Sequence, residues 1–408
     1  MPAKKSALAL LLFALLLAPA VSAHLAWAQP KFKILHGFSG KDGAGLWGNL
    51  IFAKNGNLYG PTGGGGPRGY GTVFELTPKP DGSWTHRVLH AFDPNDHHPF
   101  APVGGMVFDS SGNLYGTTEW GGGRCPSEGC GTVFELAPGS DGWKYTVLHR
   151  FDFKDGAAPY GTLAIDKAGN LYGEAGVIFK LSRNAKGWRE KVLYRPPGTN
   201  LDGPVLDGNG NLYGTTENGG AHCLPQGCGT VYQVRPIGGG KWQHRILHSF
   251  GAFREDGVRP PEGQLAIDAA GSLYGTTSFG GKNACFTTCG TIFKLTPDAN
   301  GHWKETILYN FRNDTSGNGP AAGVVLDRAG NIYGTTMYGG SPQCGCGVVY
   351  KLSPAAGGKW QYTVLHRFVY TDGAQPAANL ILDNQGNLYG TTPIGGPGGL
   401  GVVFEVTP

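Results

Sequence analysis

Eight cysteines stand in four close pairs, Cys125/Cys130, Cys223/Cys228, Cys285/Cys289 and Cys344/Cys346. Thiols so placed could close disulfides, hold a metal or exchange electrons. A structural zinc site needs four converging ligands, whereas each pair supplies two, with His222 as the only nearby imidazole. An even count in a chain with an export-type N-terminus favours local disulfides. Closing a ring of about six residues stabilises by at most ~2 kcal/mol on the chain-entropy account. The Cys344-Gly345-Cys346 ring is the tightest, hence the most strained and most reducible of the four. The cysteines read as loop clips.

Carboxylates are the second chemical resource. Asp-Gly recurs at Asp42, Asp155, Asp202, Asp256 and Asp372. A ring of such groups could bind a cation or move protons, but Asp-Gly is also an ordinary turn pair. The turn reading is preferred, so no cofactor is expected, and a structural cation at these loops is the less favoured option. Five histidines follow one pattern, Leu-His-x-Phe, at His36, His90, His149, His248 and His366. They fall in separate repeats, too far apart to form one ligand set, and read as scaffolding. No Gly-x-Ser-x-Gly elbow, His-Glu-x-x-His pair or phosphate loop is present.

These residues are positioned by a repeat. Gly-Asn-Leu-Tyr-Gly or a close variant places Tyr at 59, 115, 172, 213, 274, 333 and 389, at spacings of 56, 57, 41, 61, 59 and 56. Each unit carries four short runs rich in β-branched and aromatic residues, bounded by Gly, Pro or Asp. Four strands in each of seven units predict an all-β, seven-bladed β-propeller. The ends carry a phase offset. Leu35-His36-Gly37-Phe38 has the fourth-strand signature yet precedes the first unit, and the last unit stops after its third strand at Pro408. The N-terminal strand 32–38 is therefore expected to complete the last blade and close the ring. Asp-x-x-Gly-Asn, as at Asp109 to Asn113, predicts a type I turn between first and second strands.

The unit GNLYGTT…GG…GTVFEL…W…LHxF resembles the GloVer tandem repeat of exported bacterial "choice-of-anchor" proteins, across essentially the whole mature chain. The resemblance implies export and repetition and carries no established activity. The family's anchoring segment is not recognisable before Pro408.

The remaining composition bounds the function. Lys4, Lys5, an apolar stretch from Ala7 to Leu17 and small residues thereafter predict a signal peptide over 1–28, cleaved after Ala23 or Ala28. Residues 29–408 then form one propeller domain, exported to the periplasm or the cell exterior, with or without surface association. The formal charge of +4 includes those two lysines, which argues against a nucleic-acid partner, and no second stretch is long enough to span a membrane. A monomer is expected.

Long loops between second and third strands share a face with the blade-to-blade loops, and long loops on a rigid scaffold are where binding usually lies. Trp120, Asn218, Phe279, Tyr338 and Ile394 occupy one loop position there, and Trp47, Phe100 and Tyr160 add further aromatic rings. Trp47, Trp120, Phe279 and Tyr338 are the candidate sugar-stacking residues, the competing reading being that they pack between loops. The third unit lacks its Gly/Cys loop, reads Leu-Tyr-Gly-Glu174, and should leave a notch edged by Glu174, Arg195 and Asp202. Two functions remain open at this stage. One is a non-catalytic binding or scaffold propeller for a glycan or an envelope protein. The other is a polysaccharide lyase or hydrolase using carboxylates such as Glu174 and Asp202.

Overall fold

A computed structural model describes residues 29–93, 99–126, 128–196, 198, 203–253, 255–261, 263–282 and 289–408. Seven four-stranded antiparallel sheets make a seven-bladed propeller. The signal-type segment 1–28 lies outside the described residues. No described helix is long and apolar enough to cross a membrane.

Blade two shows the common plan. Its innermost strand is Val107–Phe108, followed outward by Leu114–Thr118, Thr132–Gly139 and Gly142–Arg150. The second strand is buried along its whole length, because it packs between two neighbouring blades rather than facing water. That explains a strand without polar alternation. Gly116 is fixed by the third strand, since a Cβ there would meet Phe134 Cζ at 2.6 Å and Met106 Cγ at 3.1 Å. An aromatic ring lies over this glycine in the other six blades as well, at Phe74, Phe179, Tyr232, Phe293, Tyr350 and Phe404. The motif's tyrosine has its own partner across the blade boundary. Tyr59 packs on Trp143, Tyr115 on Trp188 and Tyr172 on Trp242, at ring separations of 5.9, 6.0 and 6.0 Å.

The ring closes as the phase offset predicted. Lys31–Gly37 pairs antiparallel with Val402–Thr407 as the outer strand of blade seven. It carries a register shift between Ile34 and His36, and the outer pair of each of the other six blades is shifted beside the equivalent third-strand residue. The N-terminal strand is thus a true fourth strand, not an accessory one.

The Asp-x-x-Gly-Asn turn is a small polar cluster. Asp109 accepts from the Ser111 and Asn113 amides at 2.8 and 2.9 Å, the Asn113 side chain at 2.8 Å and the Tyr115 hydroxyl at 3.0 Å. Gly112 sits at φ +87°, where side chains are strained. Burial alone would raise the Asp109 carboxyl pKa, but these four hydrogen bonds outweigh it and hold it below the ordinary carboxylate value. Asp166, Asp268 and Asp327 follow the same balance. A depressed carboxyl pKa contributes stability above the unfolded value of about 3.9, and that stability is lost as pH falls through the folded value. Through these turns the urea midpoint should fall as pH drops below about 4. Asp109→Ala should cost ~1 kcal/mol at pH 7, given the turn's exposure, and should shallow the acid fall. An acid limb identical to that of the parent chain would contradict this role for the turn.

Candidate functional site

Long loops meet on one face because they are stitched together there. The loop after the second strand bridges the preceding blade-to-blade loop at Ala44 with Gly64, Phe100 with Trp120, Asn318 with Tyr338 and Ala374 with Ile394. In blade five the same contact is a short ladder, Gly257–Val258 against Phe279–Gly280. Trp120, Phe279 and Tyr338 are thus backbone-anchored before any ligand is considered.

Their side chains go to different places. Phe279 lines a central basin of about 370 Å³ together with Trp47, Tyr160, Glu217, Arg259 and Met337. The Arg259 guanidinium lies 5.8 Å from the centre of the Phe279 ring, within cation–π range. Tyr338 instead lines a separate hollow at the edge of blade six, with Asn313, Asp314, Ser341 and Cys344. Trp120 is bridged to Phe100, on whose ring Tyr70 packs edge-on at 5.6 Å. The structure therefore joins Trp47 and Phe279 and leaves Trp120 and Tyr338 out of the basin. Sequence reading missed Glu217 and Arg259. Glu217 directly follows Gly-Thr-Thr, one place before the position that had drawn attention.

Beneath the loop face a polar ring spans the mouth of the central channel. It uses the residue two places before each innermost strand: Asn49, Gly105, Thr162, Gly203, Gln264, Gly323 and Asn379. Each side chain reaches back to the preceding blade. Thr162 Oγ1 accepts from the Gly105 amide at 3.1 Å, and Asn379 Oδ1 from the Gly323 amide at 2.6 Å. Gln264 donates to the Gly203 carbonyl at 3.5 Å, and Asn49 Oδ1 accepts from the Asn379 amide at 2.7 Å. Asn49 also donates to Thr162 Oγ1 at 2.9 Å. The glycines are required: a Cβ on Gly105 would lie 2.4 Å from Thr162 Oγ1. Below this ring the channel is about 530 Å³ and lined mainly by Leu, Ile, Val and Ala.

The third-blade candidates have structural tasks. With its loop missing, the chain turns between Glu174 and Ile178, and buried Glu174 accepts the Gly176 amide at 2.5 Å to hold that turn. Arg195 donates to the Lys154 carbonyl. Asp202 lies outside the described residues.

Sequence alone left histidines and Asp-Gly pairs unrelated, yet they are partners. His36 meets Asp42 at 2.8 Å, His149 meets Asp155 at 3.1 Å and His366 meets Asp372 at 3.0 Å. In each case the aspartate is six residues on, and its other oxygen accepts a loop amide. The cysteines behave as clips. Disulfides join Cys125 to Cys130, Cys223 to Cys228 and Cys344 to Cys346, with Cα separations of 5.5, 5.4 and 5.2 Å. Cys289 is also disulfide-bonded, while Cys285 lies outside the described residues.

The model of the Gloeobacter/Verrucomicrobia repeat matches residues 23–194, 87–260 and 200–408. No curated protein matches the chain. Among solved structures, an ancestral GH74 enzyme aligns over 90% of this chain with TM-score 0.56 and 11% identity. This chain spans about half, 48%, of that enzyme's length, and the likeness is one of fold. A luciferin-regenerating enzyme aligns over 75% of this chain and 91% of its own, at 16% identity and TM-score 0.44. A gluconolactonase from Xanthomonas campestris aligns over 74% of this chain and 84% of its own, at 16% identity and TM-score 0.41.

Proposed function

The chain belongs to the Gloeobacter/Verrucomicrobia repeat family, and on that premise we propose that it is an exported binding propeller whose loop-face basin takes a glycan. The observation that carries this reading is the basin's lining: Trp47, Tyr160 and Phe279 beside Glu217 and Arg259. Flat rings suit the C–H faces of sugars, and the acid and guanidinium offer an acceptor and paired donors for hydroxyls. Ligand sites are commonly apolar-walled, with a few polar groups that fix orientation. Disulfides and the N-terminal pattern support export, with residues 1–28 as the leader.

Hydrolysis is the weaker reading. Glycosidases need two carboxyl groups flanking the scissile bond, and Glu217 is the single carboxylate lining the basin among the described residues. The test is a glycan array probed with oxidised mature protein and with Trp47→Ala/Phe279→Ala. A specific glycan should be bound by the parent and bound roughly 30-fold more weakly by the variant, about 2 kcal/mol. Failure of the parent to bind any glycan would remove this reading in favour of a protein partner. Release of shortened sugar would replace binding with catalysis.

A further inference from the structure

His248, Asp256 and Glu305 converge at the outer edge of the boundary between blades four and five. His248 is the penultimate residue of the outer strand Trp242–Ser249, Asp256 follows in the loop, and Glu305 stands on the next blade's outer strand Trp303–Asn310. The Asp256 side chain is fully buried and that of Glu305 is 6% exposed. Glu305 Oε1 and Oε2, Asp256 Oδ1 and His248 Nε2 all lack a hydrogen-bond partner among the described residues. Buried carboxylate oxygens without hydrogen-bond partners are costly, and the one positive group beside them among the described residues, the His248 imidazole, stands 3.6 Å from each carboxylate as a loose ion pair.

Comparison with the other blades sharpens the point. Where the aspartate follows its histidine by six residues, the two are directly hydrogen-bonded at 2.8 to 3.1 Å. Here the spacing is eight, and His248 Nε2 stands 3.6 Å from both Asp256 Oδ2 and Glu305 Oε2. That is too long for a hydrogen bond. It is close to the ~3.4 Å edge of a tetrahedron whose centre lies about 2.1 Å from each ligand. One ligand atom from each of the three residues falls within 4.8 Å of the others.

We propose that His248, Asp256 and Glu305 bind a divalent transition-metal cation of the zinc type, clamping blade four to blade five. Imidazole nitrogen and carboxylate oxygen are both zinc donors, and three protein ligands leave a fourth position for water. Calcium would need six or more oxygens. The site is independent of the basin. A second convergent group, His36, Asp42 and His86, is unsuitable. Its His36–Asp42 pair is already hydrogen-bonded at 2.8 Å, and its two imidazoles are stacked 4.3 Å apart rather than aimed at one point.

The probe is cobalt(II), added to chelator-stripped, oxidised full-length protein, with zinc as competitor. One equivalent should bind with the visible absorption of tetrahedral cobalt, be displaced by zinc and raise Tm. Blades two and six carry Tyr145 and Tyr362 where blade five has Glu305, each stacked on its neighbour's His90 or Tyr309 at 4.1 and 4.2 Å. Glu305→Tyr therefore follows the repeat's own packing. It should fold, bind cobalt at least roughly 100-fold more weakly and show no metal-dependent Tm. His86→Phe should bind as the parent does. If Glu305→Tyr misfolds, the isosteric Glu305→Gln gives the same reading. The proposal is overturned if the parent binds no cobalt, or if both Glu305 variants bind as tightly as the parent.

Discussion

A chain beginning at Ser39 should lose most of its stability and self-associate. Deleting residues 29–38 removes the outer strand of blade seven and leaves the edge of Val402–Thr407 unpaired. Leu35 and Phe38 are buried, and Phe32 and Ile34 pack on the blade-six and blade-seven core. Losing four such side chains costs ~6 kcal/mol or more, comparable with the whole stability of an ordinary domain at 5–15 kcal/mol. An open strand edge is also a template for pairing with other chains. The measurement is thermal unfolding by circular dichroism with light scattering, followed by addition of a peptide spanning residues 30–39. Tm should fall by tens of degrees, and the peptide should restore most of it and suppress the oligomers. A truncated chain that stays monomeric with an unchanged Tm would mean that the strand is ornamental.

Gly116→Ala should be strongly destabilising for the addition of a single methyl. Its Cβ would enter at 2.6 Å from the Phe134 ring and 3.1 Å from Met106, inside a second strand with no exposed residue. Overpacking of this kind costs ~2–3 kcal/mol, since neither neighbour has open space to move into. Phe134→Leu alone should cost ~1–2 kcal/mol through the cavity it leaves. The two changes should compensate, with a coupling of at least ~1 kcal/mol in a double-mutant cycle read from urea midpoints. Additive costs would show that ring and glycine are not engaged.

How far the sequence foretold this molecule depended on distance along the chain. Seven tyrosines and a fourth-strand signature placed before its own repeat were enough for blade number and ring closure, because strands within a blade are sequence neighbours. Turn chemistry at Asp109 was equally local. His36 and Asp42 are six residues apart, and the spacing repeats at His149 and His366, so this partnership was readable but was divided between two separate motifs. The basin was only half visible. Trp47 and Phe279 come from blades one and five, and no local pattern says which loop residues face a common centre. Blade-to-blade groups such as Glu305 against His248 are 57 positions apart, and only the closed circle sets their distance.

The polar ring at the channel mouth has a consequence in parity. A residue with a side chain alternates with glycine from blade one to blade six, so each gripping group finds a bare backbone behind it at Gly105, Gly203 and Gly323. An even circle could continue that alternation without end. Seven cannot, and the mismatch falls between Asn379 and Asn49, the same boundary at which the N-terminal strand enters from the far end of the chain. The boundary between blades seven and one is therefore chemically unlike the other six. A rearranged chain with the same seven units in another order would bring two glycines, or two side chains, together somewhere else in the circle.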